Sequence, residues 1–436
     1  MDIRLLILGV CLAIKCVGFS QNSERPNILI FFTDDQGYAD VGVYGAEGFE
    51  TPHLDDLASE GLKFTNFYVP ANVCTPSRAA LLTGKYPIKV GLHSGVVSPY
   101  STHGLEPEEI TLAEVLKEGG YATSIIGKWH LGHEERYMPY NQGFDEFYGV
   151  PYSNDMDSYY YKHNDFQSPP LPFYRNEKII GEGVDQRYLT KMYTEEAVKQ
   201  IEERNTEKSF FMYVAHNMPH EPLYVSEKFE GKSDLGLYGD VIMELDWSMG
   251  QIVKALKEEG IYENTIIIFT SDNGPRIGSA KPLRGMKAET WEGGHRVPGI
   301  ISWPNNIPKN EVINAVVSTL DLFPTLLDIA GIREMPNLDG RNIKKFLSNP
   351  SKLELQDEPI FFYGRNGEME AVRYGKWKLH IAKARGWNKK KDGSFPVSLY
   401  DLDIDISEST DVSKQHSEIV EKLKKLIKEF ENSLKY

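Results

Sequence analysis

Short apolar runs alternate with amphipathic segments along most of the chain. Residues 28–33, 121–127, 210–215, 265–270 and 297–303 have the length and continuity of buried strands. Residues 54–61, 111–118, 235–259 and 320–330 carry helical periodicity. This alternation predicts an α/β domain with a largely parallel central sheet flanked by helices. The pattern changes near Ser348-Asn349-Pro350-Ser351. Beyond it, 360–363, 370–381 and 398–403 read as a smaller antiparallel sheet closed by one amphipathic helix, 417–434. The division is therefore 1–20, 21–350 and 351–436. Residues 134–178 are irregular and rich in Tyr, Asn, Asp and Pro, the composition of a binding surface or lid.

Composition narrows the class. Of 436 residues, 41% are hydrophobic, 11% aromatic and 25% charged, which excludes disorder, collagen and coiled coil. A net charge of −15 argues against a general nucleic-acid binder, so an anionic substrate needs a local basic pocket.

Residues 1–20 read as a secretory signal. Arg4 supplies the positive start, 5–14 the apolar run, and Gly18-Phe19-Ser20 a cleavage site before Gln21. As an anchor helix the run is too short, and Lys15 interrupts it; Lys15 also fits a lipoprotein Cys16 poorly. The mature chain is expected to be exported, without stable membrane insertion. Cys11 and Cys16 leave with the signal, and a lone Cys74 cannot form an internal disulfide. No Asn-x-Ser/Thr sequon is present, which favours a bacterial periplasm or medium. A single thiol there must be buried, modified or used.

Two acidic clusters follow strands. Asp34-Asp35 follows the first, and Ser271-Asp272-Asn273-Gly274 follows 265–270. Each alone reads more readily as a turn. Together they offer three carboxylates and an amide oxygen at one sheet edge, a set suited to Ca²⁺ or Mg²⁺ rather than zinc. The third element is Cys74-Thr75-Pro76-Ser77-Arg78-Ala79-Ala80-Leu81-Leu82-Thr83-Gly84. Pro76 suits a first helical turn, and Gly84 ends the helix. Cys74 then lies at a helix N-terminus that favours an anion, with Arg78 able to turn its fork toward the same anion.

Cys-x-Pro-Ser-Arg followed by Ala-Ala-Leu-Leu-Thr-Gly resembles the activation signature of the formylglycine-dependent type I sulfatases. The resemblance runs from Pro26-Asn27-Ile28 to Leu399-Tyr400-Asp401-Leu402. His130-Leu131-Gly132-His133 and Gly143-Phe144-Asp145-Glu146 are similar to the arylsulfatase A and N-acetylgalactosamine-6-sulfatase branch; acidic charge, export and the Tyr- and Trp-bearing loops add the expectation of a bacterial polysaccharide sulfatase. The resemblance implies an alkaline-phosphatase-like fold and a Cys74 oxidised to formylglycine (3-oxoalanine) by a separate maturation enzyme. It implies Ca²⁺ ligation by Asp34, Asp35, Asp272 and Asn273, with the modified Cys74 near the metal. In Gly127-Lys128-Trp129-His130, Lys128 would contact sulfate and His130 the formylglycine hydroxyl. Continued extended backbone would put both side chains on one side. His220 would face substrate, and Lys287 would be the second sulfate-binding lysine. His216 reads as structural, as do Glu292 and Arg296, an ion-pair segment.

The mechanism this implies starts with one hydroxyl of the hydrated aldehyde attacking sulfur. The metal, Arg78, Lys128 and Lys287 hold the sulfonate oxygens. His220, or alternatively Lys287, protonates the departing alcohol, and His130 takes a proton from the remaining hydroxyl to expel sulfate. The expected substrate is a sulfated carbohydrate, with His133, Asn154, Asp155 and Arg276 as sugar contacts. A basic stretch, 373–391, reads as either a polyanion groove or a solvated loop. Two other readings remain. One is a phosphonate or phosphate ester hydrolase of the same superfamily, although two-metal members have Asp-His where this chain has Asp272-Asn273. The other is a non-catalytic glycan-binding relative, which would lack pocket residues that are all present here.

Overall fold

The computed structural model describes residues 25–157, 169–333, 337–382 and 396–434. The signal reading of 1–20 lies outside them, as do Lys383, Arg385, Trp387 and Lys389-Lys390-Lys391 of the basic stretch.

The central sheet has eleven strands among the described residues. They are β1 (Asn27–Thr33), β2 (Leu62–Tyr68), β3 (Ala122–Lys128), β4 (Glu146–Val150), β5 (Pro172–Arg175), β6 (Lys178–Glu182), β7 (Phe210–Ala215), β8 (Thr265–Ser271), β9 (Arg296–Ser302), β10 (Glu311–Ile313) and β11 (Val317–Ser318). The order is β10-β2-β9-β8-β1-β7-β3-β4-β5-β6, with β11 beside β2. The middle five, β8-β1-β7-β3-β4, are parallel. Antiparallel pairs flank them at β8–β9, β2–β9, β4–β5 and β5–β6.

Every residue of β1 is buried, which is why it reads as an unbroken apolar run. Its side chains nonetheless alternate between two cores. Ile28, Ile30 and Phe32 enter one, with Leu81 and Leu82 of α2 (Cys74–Thr83), Leu112 and Leu116 of α3 (Leu112–Glu118), and Phe323 and Leu326 of a helix at Leu322–Ile329. Leu29 and Phe31 enter the other, with residues of α1 (Pro52–Ser59), α4 (Leu189–Glu202) and α5 (Leu237–Glu258). The sheet is thus covered on both faces.

A second sheet, β12 (Ile360–Tyr363), β13 (Met369–Tyr374), β14 (Trp377–His380) and β15 (Ser398–Asp401), is antiparallel in sequential order. The helix Ser417–Ser433 lays Val420, Leu423 and Ile427 onto it, and Ala80 of α2 shares the same core. Among the described residues, no helix is long and apolar enough to cross a membrane.

Two expectations gain detail. Within the predicted antiparallel sheet, 370–381 is a hairpin, because Gly375 takes φ 57 and reverses the chain between β13 and β14. The irregular stretch 134–178 contains β4 and β5, whose short lengths and mixed polarity conceal a strand period.

Candidate active site

The acidic clusters meet because β1 and β8 are parallel neighbours ending in register, Thr33 beside Ser271. The Asp272 N–H donates to Thr33 O at 3.1 Å, and the Asp35 N–H donates to Asp272 Oδ1 at 3.1 Å. Asn273 Nδ2 donates to Asp35 Oδ1 at 2.7 Å. The chain leaving β7 joins them, since the Asp34 N–H donates to Met218 O at 3.2 Å. All these groups sit beyond the carboxyl ends of the parallel strands.

Helix α2 delivers Cys74 and Arg78. It starts after extended Val73 and ends at Gly84, whose φ of 64 suits the left-handed cap and whose N–H donates to Ala80 O. All ten of its residues are buried; Cys74 is 2% exposed. Arg78 lies 2.9 Å from Asp272 Oδ2 and 3.5 Å from Asp34 Oδ2, and it donates to Lys128 O at 3.1 Å. Its fork therefore faces carboxylates as well as the neighbourhood of Cys74.

Two buried lysines complete the charge balance. Lys128, at the end of β3, pairs with Asp34 Oδ2 and donates to Ser153 Oγ at 3.0 Å. Lys287 Nζ lies 2.6 Å from Asp35 Oδ1 and 3.6 Å from Cys74 Sγ. His220 Nε2 is 3.7 Å from Asp35 Oδ2. One possible ligand atom from each of Asp34, Asp35, Cys74 and His220 falls within 4.8 Å of the others.

The electrostatics follow from this crowding. Burial pushes the Asp34 carboxyl up, but Lys128, His220, Arg78 and Lys287 outweigh it and hold the group well below its usual range. Asp272 is pushed up to about 7 by burial and by Asp34. Burial and Asp34 also raise the Cys74 thiol, so an unmodified Cys74 is a poor nucleophile. Three cations here face three carboxylates. A divalent cation would leave a net positive site matched to an anionic ester. The donors fit one: Asp34 Oδ1 and Asn273 Oδ1 are buried oxygens without a hydrogen-bond partner.

His130 departs from the expected geometry. Strand β3 ends at Lys128 and His130 takes φ 63, so extended backbone does not carry both side chains to one side. Its Nε2 faces Val97 O at 2.9 Å, which places the proton there and leaves Nδ1 without a partner. Burial, with Lys128 and Arg78, holds the ring neutral. His216 is buried against Phe31 and Tyr193, its pKa lowered to about 3 by burial. Glu292 and Arg296 pair at 3.3 Å.

The four residues expected to contact sugar divide. Asn154 Nδ2 donates to Pro222 O at 3.2 Å, and Arg276 Nε lies 2.6 Å from Glu221 Oε2, so both join the loop carrying His220. His133 stands edge-on to Tyr152, and neither it nor Asp155 hydrogen-bonds to the buried cluster among the described residues. Sequence reasoning missed Ser153, which follows the concealed strand β4, and Thr75, whose Oγ1 donates to His130 O and accepts from the Val97 N–H. Ser153 was legible only through β4. Thr75 carried no signal beyond its place beside Cys74.

Comparison with known proteins places this geometry. Residues 26–332 match the Sulfatase family model, and residues 287–433 match that of N-sulphoglucosamine sulphohydrolase, C-terminal. Human arylsulfatase A is 39% identical over 392 residues, 82% of this chain and 75% of that protein. Dog N-acetylgalactosamine-6-sulfatase is 35% identical over 421 residues, 89% of this chain and 78% of that protein. The crystal structure of Ps i-CgsB in complex with k-i-k-neocarrahexaose superposes with a TM-score of 0.82 at 33% identity, covering 93% of each chain. With the fold, the Cys74–Gly84 motif and the buried acid–lysine cluster in agreement, the chain belongs to the sulfatase family and is a sulfuric ester hydrolase.

Proposed function

We propose that this sulfatase removes sulfate from a sulfated carbohydrate, a polysaccharide or its oligosaccharides, with Cys74 converted to formylglycine and one Ca²⁺ in the site. The observation that carries this reading is the convergence of Asp34, Asp35, Cys74 and His220 within 4.8 Å, with Lys287 against both Asp35 and Cys74. Ca²⁺ would be held by Asp34, Asp35, Asp272 and Asn273 and would supply charge neutralisation at the sulfonate oxygens. Formylglycine hydrate at position 74 would supply the attacking hydroxyl and a second hydroxyl, which a plain serine or cysteine lacks.

The remaining roles belong to the chain's own side chains. Lys128 and Lys287, with Arg78 behind them, orient the sulfate group and offset its growing charge. His220, at the edge of the cluster and 8% exposed, donates the proton to the departing sugar oxygen. His130 accepts a proton at Nδ1 from the hydroxyl at position 74. The carbohydrate class is supported by the names of the N-acetylgalactosamine-6-sulfatase relatives and by the oligosaccharide in the Ps i-CgsB complex. Export rests on the signal-like composition of 1–20.

The test is peptide mass spectrometry across Cys74 after expression with a maturation enzyme, followed by assay on sulfated oligosaccharides with and without Ca²⁺. The expected result is conversion of –CH₂SH to –CHO and Ca²⁺-dependent sulfate release. Confirmed aldehyde with faster turnover of a phosphonate monoester than of any sulfate ester would overturn the reading.

A further inference from the structure

The segment between Asn273 and β9 carries Lys287 near its middle, and one residue of the C-terminal sheet region grips it on both sides. That residue is Glu408, in the connection from β15 to the final helix. It is fully buried and sits in the left-handed region at φ 49. Such backbone is unfavourable for a residue with a Cβ and persists where surrounding contacts over-determine it. Here they do. The Glu408 carbonyl accepts from Arg284 Nη1 at 2.8 Å, and its Oε2 accepts from the Glu292 N–H at 2.7 Å. Its Oε1 accepts from His380 Nε2 at 2.8 Å and lies 3.3 Å from Lys378 Nζ, both on β14.

The gripped residues bracket Lys287 in sequence. The Gly293 N–H donates to Arg284 O at 2.7 Å, closing the intervening chain into a loop. From that loop the Lys287 N–H reaches Pro275 O and the Ala288 N–H reaches Asn72 O, each at 2.9 Å. Lys287 Nζ thereby arrives between Asp35 and Cys74.

We propose that Glu408 is a positioning residue for Lys287: the C-terminal sheet clamps the Lys287 loop and sets where the ammonium group stands. This inference rests on the sulfatase reading above. It assigns the C-terminal sheet a part in catalysis without any contact to substrate.

The test combines hydrogen exchange with a double-mutant cycle. In Glu408→Gln one clamp acceptor becomes a donor. Exchange should rise in peptides covering 284–294 and stay unchanged outside these, β14 and the connection that carries position 408. On 4-nitrophenyl sulfate, kcat/KM of the matured enzyme should fall about 10–100-fold, the size expected when a supporting contact is lost. In a Lys287→Ala background the same substitution should cost nothing more, because its effect passes through Lys287. A merely structural role lowers both backgrounds equally. If Glu408→Gln does not fold, Arg284→Met, at an exposed side chain, carries the same cycle. Unchanged exchange at 284–294, or equal losses in both backgrounds, overturns the proposal. If matured wild type hydrolyses no sulfate ester, the sulfatase reading fails separately, and the exchange result alone decides the clamp.

Discussion

Arg78 and Asp272 form a fully buried ion pair, 2.9 Å apart, that joins helix α2 to the end of β8. Removing one partner of such a pair strands the other without solvent. Arg78→Ala should therefore lose about 3–5 kcal/mol of unfolding free energy, as well as activity. Arg78→Lys should recover part of the stability but little activity, because an ammonium cannot reproduce the fork that spans Asp272, Asp34 and Lys128 O. Urea titrations of both variants check this, and equal stability of wild type and Arg78→Ala contradicts it.

Metal removal should have a stability signature as well as a kinetic one. With Asp34 Oδ1 and Asn273 Oδ1 buried and unpartnered, chelation is expected to lower the Tm, and added Ca²⁺ to restore it. Asp35→Asn should abolish that Ca²⁺-dependent increment. A Tm indifferent to chelator in the wild type counts against a resident ion.

Cys74 is only 2% exposed once the chain has folded and the whole of α2 is buried, so a substrate-sized anion can approach it but an enzyme cannot engage the surrounding segment. Native protein made without a maturation enzyme should react slowly with iodoacetamide, because burial raises the Cys74 thiol, and should remain a thiol when the maturation enzyme is added later. The same protein in urea should alkylate completely. Conversion of the native form to the aldehyde would contradict the burial argument.

Stability should also respond to pH far from the site. Asp246 accepts the N–H groups of His53 at 3.3 Å and Leu54 at 2.8 Å, and burial pushes its carboxyl up to about 7. A carboxyl with a raised folded pKa stabilises most below its unfolded value and loses that contribution as pH climbs through about 4 to 7. Asp246→Asn keeps an acceptor without the charge. Relative to wild type, the variant should gain roughly 2–4 kcal/mol between pH 4 and pH 8. A gap that does not change with pH removes the explanation.

At the rim, Arg276 and Glu221 link the loops following β8 and β7. Arg276→Ala should raise KM for a sulfated oligosaccharide several-fold with kcat unchanged, and leave a small aryl sulfate unaffected. Equal effects on both substrates would show that Arg276 supports the loop rather than the sugar.

The sequence was most legible where one physical signal dominated. Strands β1, β7 and β8 are buried on both faces and read as plain apolar runs, and their ends locate Asp34, Asp35, Asp272 and the approach to His220. Pro76 and Gly84 frame α2 through backbone preferences that any context preserves. Strand β2, with its mixed burial, and β4 to β6, among tyrosines and asparagines, offer no such dominance and went unread. With β4 concealed, Ser153 was invisible. The bend at His130 was equally hidden, because a positive φ at a histidine leaves no mark in composition. Glu408 was the hardest case: its partners Arg284 and Glu292 lie more than a hundred residues earlier, and only the folded chain brings them together.

The strand order also sets a schedule for synthesis. β1 is completed by β7 and β8, and β8 begins at Thr265, long after Cys74 has been made. At ~5–20 residues per second, roughly 10–40 seconds separate Cys74 from the strand whose end caps its pocket. Through that interval β1 lacks its β8 neighbour, so α2 has no finished floor to settle on. Topology alone thus leaves the cysteine open for a defined time and then withdraws it.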